Sequence, residues 1–413
     1  MVHMSPSDFP QIYQEVTTPG RITFWFGQHH FDDFHLSATL YFARQFSYSP
    51  DFHFRYNAAA APGSGVSLLN DARISRESLP AGATQRTLLE LLLESRQTAC
   101  TDPRDKVFSL IPHASDVAAD AIPIDYSKTL EQVSADVVRF MLSSSSTPYM
   151  EVFGLVYTPW PDARHKNLRQ TFQPPLPSWM PDMRQCVSIP NLNERRADMG
   201  PVYTTCPIQT VSASINGAEL HIQGIVSSQT ISFLTNVWDQ AGIATRKSPE
   251  WLETVRNSGL VRPSQSVTIE DTVAGTLVAD KSRITIPKSQ PQFPRPYRRG
   301  NAVDWNLLSA DPATLPPEAA QHRLRMLDNV AVACFGKRMG VTSSGSMGLF
   351  PAGTDLGDRV ALFLGGGTLY VVRPSETGKY QFIGECYVDG MMDGALMEQE
   401  VARGNAAGTI VLI

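Results

Sequence analysis

Four polar side chains carry the chemistry this sequence could perform: His30, Arg104, Tyr126 and Glu385. His29 and His30 stand beside Asp32 and Asp33, so an imidazole titrating near neutrality has a carboxylate to orient it as a general base. The blander reading is a wet turn between two aromatic-rich elements, since no nucleophile stands nearby. Arg104 and Asp105 could hold an anion at a helix start, or form a local salt bridge that fixes the helix. Glu385 shares a strand face with Ile383 and Tyr387. If that face is inward, its carboxylate needs a partner or a raised pKa, and Arg373 across the ladder is the partner a purely structural reading supplies. Tyr126 adds a phenol as donor or orienter, and Trp25, Trp179 and Tyr387 offer aromatic surface to a guest.

The elements that must position these groups are unevenly legible. Arg21 to Phe34 reads as a strand, a turn at Gly27 and a helix start. Asn57 to Gly82, rich in Ala, Gly and Ser without a period, reads as a mobile loop. Thr84 to Gln97 is a helix, its Leu88, Leu89, Leu91, Leu92 and Leu93 implying burial on most sides. Asp102-Pro103 reads as an N-cap followed by proline at the first helical position, opening a short helix through Leu110. Ser127 is the expected cap of the next helix, whose Leu130, Val133, Val137, Phe140 and Met141 keep one face until the serines from Ser143 end it.

Beyond Tyr149, Pro159, Pro161, Pro174, Pro175, Pro177 and Pro181 forbid long regular elements, with Trp160 and Trp179 as packing anchors. Glu219 to Val226 alternates like a strand, Trp238 to Arg325 is mixed, and Pro287 to Arg299 is a basic surface excursion. Val360 to Leu364, Leu369 to Arg373 and Tyr380 to Val388 form an antiparallel meander, with Thr409 to Ile413 as a further strand.

Composition excludes several classes. The 413 residues are 42% hydrophobic, ample for a core and for two or three compact units. The 28 glycines and 30 prolines exceed the usual share of ~12%, so a plain helical bundle is not expected. A net charge of −5 provides no basic field for a phosphate backbone, so no nucleic-acid partner is expected. The N-terminus lacks a signal pattern and the longest apolar run is too short to span a bilayer, so a soluble, cytoplasmic protein without a membrane partner is expected. Five separated cysteines read as buried thiols. No H-E-x-x-H, paired-cysteine set, G-x-S-x-G elbow, phosphate loop or dinucleotide fingerprint occurs, so neither metal nor cofactor is expected.

Several strings nevertheless line up. Thr101-Asp102-Pro103-Arg104-Asp105-Lys106-Val107-Phe108 followed by Asp125-Tyr126-Ser127-Lys128 closely resembles the core motif of fungal heterokaryon-incompatibility (HET) domain proteins. Leu176-Pro177-Ser178-Trp179-Met180-Pro181-Asp182, the strand Leu220 to Gly224, and the tail Gly384-Glu385-Cys386-Tyr387-Val388 with Gly390-Met391-Met392-Asp393-Gly394 do so too, in the family's order. Gln14-Glu15-Val16 resembles a motif that in the family follows an N-terminal half, and only Met1 to Tyr13 precede it here. By the resemblance, that half carries a TIR-type fold whose members include NAD-cleaving and cell-death signalling domains. Either the sequence is truncated or that activity is lost, and loss is the expectation.

The expected fold is α+β: a helical HET-like region over 1–150, a proline-rich, irregular and mixed region with short strands over 151–330, and an antiparallel β-rich, barrel-like region over 331–413. HET-like proteins are also met in fungal natural-product pathways. By that resemblance the expected function is a cofactor-free catalyst that holds a hydrophobic small-molecule precursor and promotes its cyclisation, of [4+2] or Diels–Alder type. Such a step needs positioning and a polarising donor rather than a nucleophile. Its catalytic candidates are His30, Glu385, Arg104 and Tyr126, with Trp25, Trp179 and Tyr387 against the substrate. The alternative is an incompatibility or cell-death regulator acting through protein contacts. Oligomeric state stays open.

Overall fold

The structure, a computed structural model, describes residues 23–26, 28–32, 35, 86–96, 100–118, 120–143, 150–160, 171–186, 192, 203, 205–206, 211–238, 249–262, 268–279, 281–283, 297–299 and 305–413. The expected loop at Asn57 to Gly82 and the Gln14-Glu15-Val16 string lie outside them. The chain forms two compact units, one of Met1–Val133, Met183–Ser188 and Ile286–Pro294, the other of Ser134–Asp182, Ile189–Thr285 and Arg295–Ile413. The fold is α+β.

In the first unit, β1 (Thr23–Phe26) pairs antiparallel with β2 (His29–Asp32). The helix start expected after Gly27 is therefore a second strand; a tight turn lets the chain return along itself, and Phe31 adds a strand-favouring aromatic. Helix α1 (Leu88–Ser95) begins four residues later than the reading from Thr84, because Thr87 and Glu90 form a reciprocal capping box that sets its start. Asp116 Oδ1 takes a further N-terminal amide, that of Leu88, at 2.8 Å. Leu88, Leu89, Leu91 and Leu92 are buried.

Helix α2 is only Asp105–Phe108, shorter than the reading through Leu110, and a 3-10 turn Ile111–His113 follows it. Asp102 is not its N-cap: the carboxylate accepts from Arg104 N at 3.0 Å and so closes a turn one step earlier. Helix α3 (Leu130–Ser143) is capped by Thr129 rather than Ser127. Thr129 Oγ1 accepts from Gln132 N at 3.2 Å and Gln132 Oε1 from Thr129 N at 2.8 Å, while Ser127 is bound to Asp125. A glutamine three residues on from Thr129 completes the box that Ser127 cannot.

The second unit contains β3 (Ala213–Asn216), the long β4 (Glu219–Leu234), α4 (Pro249–Ser258), α5 (Ile269–Leu277), β5 (Lys281–Arg283), β6 (Tyr297–Arg299) and α6 (Trp305–Ser309). It continues with α7 (Pro317–Cys334), β7 (Lys337–Thr342), β8 (Met347–Pro351), β9 (Arg359–Phe363), β10 (Leu369–Pro374), β11 (Tyr380–Val388), α8 (Ala395–Ala402) and β12 (Gly408–Leu412).

The meander expected at the C-terminal end is present and goes further. The pairings β4–β9, β9–β10, β10–β11, β11–β8, β8–β7 and β7–β4 are all antiparallel and return to their start, closing a six-stranded barrel. β4 is long enough to take β9 along one edge and, along the other, β12 and then β7. Closure leaves the ring no unpaired edge. β12 also touches β11 in a parallel pairing, Tyr380 with Leu412.

Both faces of the ring strands are buried. Val360, Leu362, Leu369, Val371 and Ile383 join Val273 and Leu277 of α5 and Val330 and Cys334 of α7 in one apolar cluster. Phe363, Tyr370 and Phe382 instead gather around Phe153 of a 3-10 helix, Met150–Leu155, with centroid separations from 4.5 to 6.3 Å. Two-sided burial accounts for the unbroken apolar runs of β9 and β10, and each such side chain contributes roughly 1.5–3 kcal/mol. Close approach demands glycine at the seams: a Cβ on Gly348 would lie 2.4 Å from Tyr387 O, and one on Gly224 2.3 Å from Leu362 O.

Candidate functional site

In the first unit the T-D-P-R-D-K-V-F string folds back on the segment 125–128. Arg104 Nε and Nη2 grip Asp102, at 2.9 Å to Oδ1 and 2.6 Å to Oδ2, and Nη1 donates to the carbonyls of Tyr126 at 2.7 Å and Lys128 at 2.8 Å. Four of the five guanidinium N–H donors are thereby engaged within the unit. The Tyr126 hydroxyl donates to Asp105 Oδ1 at 2.6 Å, its ring stands edge-on to Phe108 at 5.1 Å, and the guanidinium lies 5.3 Å from the ring centroid.

The electrostatics follow from these bonds. The Arg104 hydrogen bond holds Asp102 below its ordinary range. Bonds from Ser127 do the same for Asp125. The bond to Asp105 pushes the Tyr126 phenol up to about 12, so it keeps its proton at neutral pH. Adjacent in sequence, Arg104 and Asp105 offer either an anion site or a salt bridge. The structure joins Arg104 to Asp102 instead, and gives Asp105 to Tyr126. The arrangement is a latch tying one turn to another.

Lys106, from the same motif, was missed. It is 4% exposed, and its Nζ donates to the carbonyls of Gln185 and, at 3.4 Å, Arg96, with Cys186 Sγ at 3.7 Å. A lysine between Asp105 and two apolar residues was the available signal, since burial of an ammonium requires acceptors.

His30, also in this unit, is exposed in β2, where its main-chain partner is Trp25 of β1. The Trp25 side chain lies outside the described residues.

In the second unit, Glu385 stands directly opposite Tyr370 across β10 and β11. It is 8% exposed, and its Oε2 accepts from Leu192 N at 3.0 Å. Burial raises the Tyr370 phenol well beyond its usual range, and the charges of Glu385 and Glu151 add to this. Burial likewise raises the Cys386 thiol, with Glu385 a lesser cause. Arg373 is not the partner of Glu385: its Nε and Nη2 bind Asp358 at 2.8 and 2.9 Å, and Nη2 reaches Asp355 at 2.8 Å. The β-bulge at Val371/Val372 separates the arginine's end of the ladder from Glu385.

Trp179 is fully buried and donates from Nε1 to Ala218 O at 3.0 Å. Its neighbour Ser178 accepts at Oγ from Phe382 N at 2.8 Å, and both its amide and its hydroxyl donate to Ile413 O. The L-P-S-W string thus fastens β11 and β12 together. Tyr387 is 2% exposed, with its hydroxyl donating to Asp389 at 2.9 Å and its ring 6.0 Å from that of Tyr203. The structure therefore brings Arg104 and Tyr126 together in one unit, and places Glu385 and Tyr387 on one strand of the other.

Glu400 of α8 is a further polar centre that sequence analysis missed. Fully buried, it accepts from Ser227 Oγ at 2.8 Å, Arg403 Nη1 at 2.6 Å and Asn405 Nδ2 at 2.6 Å. Among the described residues no group of three or more His, Cys, Asp or Glu side chains could hold a metal ion, and no helix is long and apolar enough to cross a membrane. Among the described cysteines, Cys206, Cys334 and Cys386 are buried, whereas Cys100 and Cys186 are partly exposed.

Comparison with known proteins adds three findings. No solved structure matches the chain. Over 354 residues it is 23% identical to heterokaryon incompatibility protein 6, OR allele, of Neurospora crassa, a match covering 76% of this chain and 52% of that relative. The chain thus spans about half the length of the curated relative it matches. Residues 320–404, which supply β7 to β11, match the family model of the Het-6 β-barrel domain.

Proposed function

We propose that this chain acts in heterokaryon incompatibility, as a regulator working through contacts with other proteins. The observation that carries the reading is the similarity of 76% of the chain to an incompatibility protein. The sites agree with it: the polar groups of the core motif are spent on fastening their own backbone. Cyclisation of an oily precursor draws less support. Trp179 and Tyr387 have 0% and 2% exposure, whereas rings lining a hollow wide enough for a guest would retain surface that a water molecule could touch.

The test is expression of the chain in a filamentous fungus that is then paired with a panel of non-expressing isolates. Dying fusion cells, seen with a vital dye, are expected in some pairings. Healthy fusions throughout the panel would overturn the reading. A linear diene precursor whose product ratio shifts from that of the spontaneous reaction would restore cyclisation.

A further inference from the structure

Lys106 and Cys186 belong to the first unit and are held together by more than one anchor. The Lys106 amine grips the carbonyl of Gln185, the residue immediately before Cys186, and also that of Arg96 at 3.4 Å. Holding the neighbouring carbonyl fixes where the cysteine must lie, and Sγ stands 3.7 Å from Nζ. The thiol also donates to Arg184 O at 3.8 Å. Burial of the lysine has already cost the chain the rotamer freedom that would otherwise oppose a fixed N to S approach. Cys186 itself is half-buried, so a small oxidant can reach the sulfur while bulk solvent is restrained.

We propose that Lys106 and Cys186 form a covalent, reducible link when the sulfur is oxidised, an oxidative modification site in the core motif. In the first step a peroxide oxidises the thiol by two electrons: Cys–SH and H2O2 give Cys–SOH and H2O. In the second, the lysine nitrogen attacks the sulfur and the S–O bond breaks as the S–N bond forms. The ammonium and the sulfenic acid together yield Lys–NH–S–Cys, one water and one proton. A second peroxide can instead leave an oxygen between nitrogen and sulfur, with two waters released per sulfenic acid and amine consumed. The remaining nearby thiol, Cys100, is the slower competitor, because burial pushes it up to about 12 and the thiolate is the reactive form. The link replaces a hydrogen-bonded contact between α2 and the segment 184–186 with a bond, and it does not depend on the functional reading above.

The experiment treats the purified chain with hydrogen peroxide, digests it without reductant and maps the peptides by mass spectrometry. A cross-linked pair joining Lys106 to Cys186 is expected, lighter by two hydrogens than its separate peptides, with or without one added oxygen, uncut by trypsin at Lys106 and released by dithiothreitol. It should persist in Cys100→Ser and vanish in Cys186→Ser, two partly exposed positions chosen so that the buried lysine need not be altered. A Cys100–Cys186 disulfide would overturn the proposal. So would Cys186 advancing to the sulfinic acid with Lys106 still cleavable, in protein whose circular dichroism matches the untreated chain.

Discussion

In the first unit Arg104 directs four N–H donors at a carboxylate and two carbonyls, and the Tyr126 ring beside it is 54% exposed. In the second, the ring strands bury apolar side chains on both faces and their hydrogen bonds run around a closed circuit. The two regions carry the strings that resemble one family most closely, yet they are fastened by opposite means. One depends on ionisation and feels salt and pH. The other depends on area removed from water and on close fit, which neither variable touches directly. Family resemblance in a string therefore does not distinguish a reacting group from a fastening one; its bonding partners do.

The largest effect that would sharpen this comparison is at Trp179. Trp179→Ala empties a fully buried site and should destabilise the barrel unit by about 3–5 kcal/mol, read from denaturant unfolding. A loss below ~1 kcal/mol would mean that the ring does not rest on this anchor. Next is Gly348→Ala, where the new methyl meets Tyr387 O at the β8–β11 seam. Overpacking of this kind costs about 1–3 kcal/mol, and an unchanged midpoint would show that the seam yields.

Asp102→Asn should have the smallest effect and the most informative pH dependence. The folded-state pKa of Asp102 is depressed, so its contribution is fully present above the unfolded value of ~3.9 and is lost as pH falls through the folded one. Thermal melts should show the variant less stable than the parent at pH 7, with the gap closing towards pH 3. A gap constant with pH would break the contrast between a charged latch and an apolar ring.

Much of the ring was legible in the sequence because its signals are local. β11 runs over Tyr380–Val388 as read, and β9 and β10 differ by a residue at their ends, since short apolar runs bounded by glycine-bearing turns mark them. Helix α7 was not read, although Pro317 at its first position and Glu318 beside it are start signals. β7 and β8 went unresolved because residues buried on both sides leave no alternation to count. Ring closure was beyond local reading altogether: β4 meets β7 across more than a hundred residues, and nothing at Ile231 announces Thr342. At the site, Arg104 and Tyr126 were singled out from their types, but their partners were not. Carbonyl acceptors such as Tyr126 O and Lys128 O belong to the backbone and leave no mark in the side-chain text.

The position of β4 has a practical consequence. A gene fragment cut to the matched span, 320–404, would encode β7 to β11 but neither β4 nor β12. β7 and β9 would then each present a bare row of amides and carbonyls to whatever extended polypeptide came by, and such fragments should clump rather than dissolve. Anyone dissecting this molecule by its recognisable segment would be handling a torn hoop.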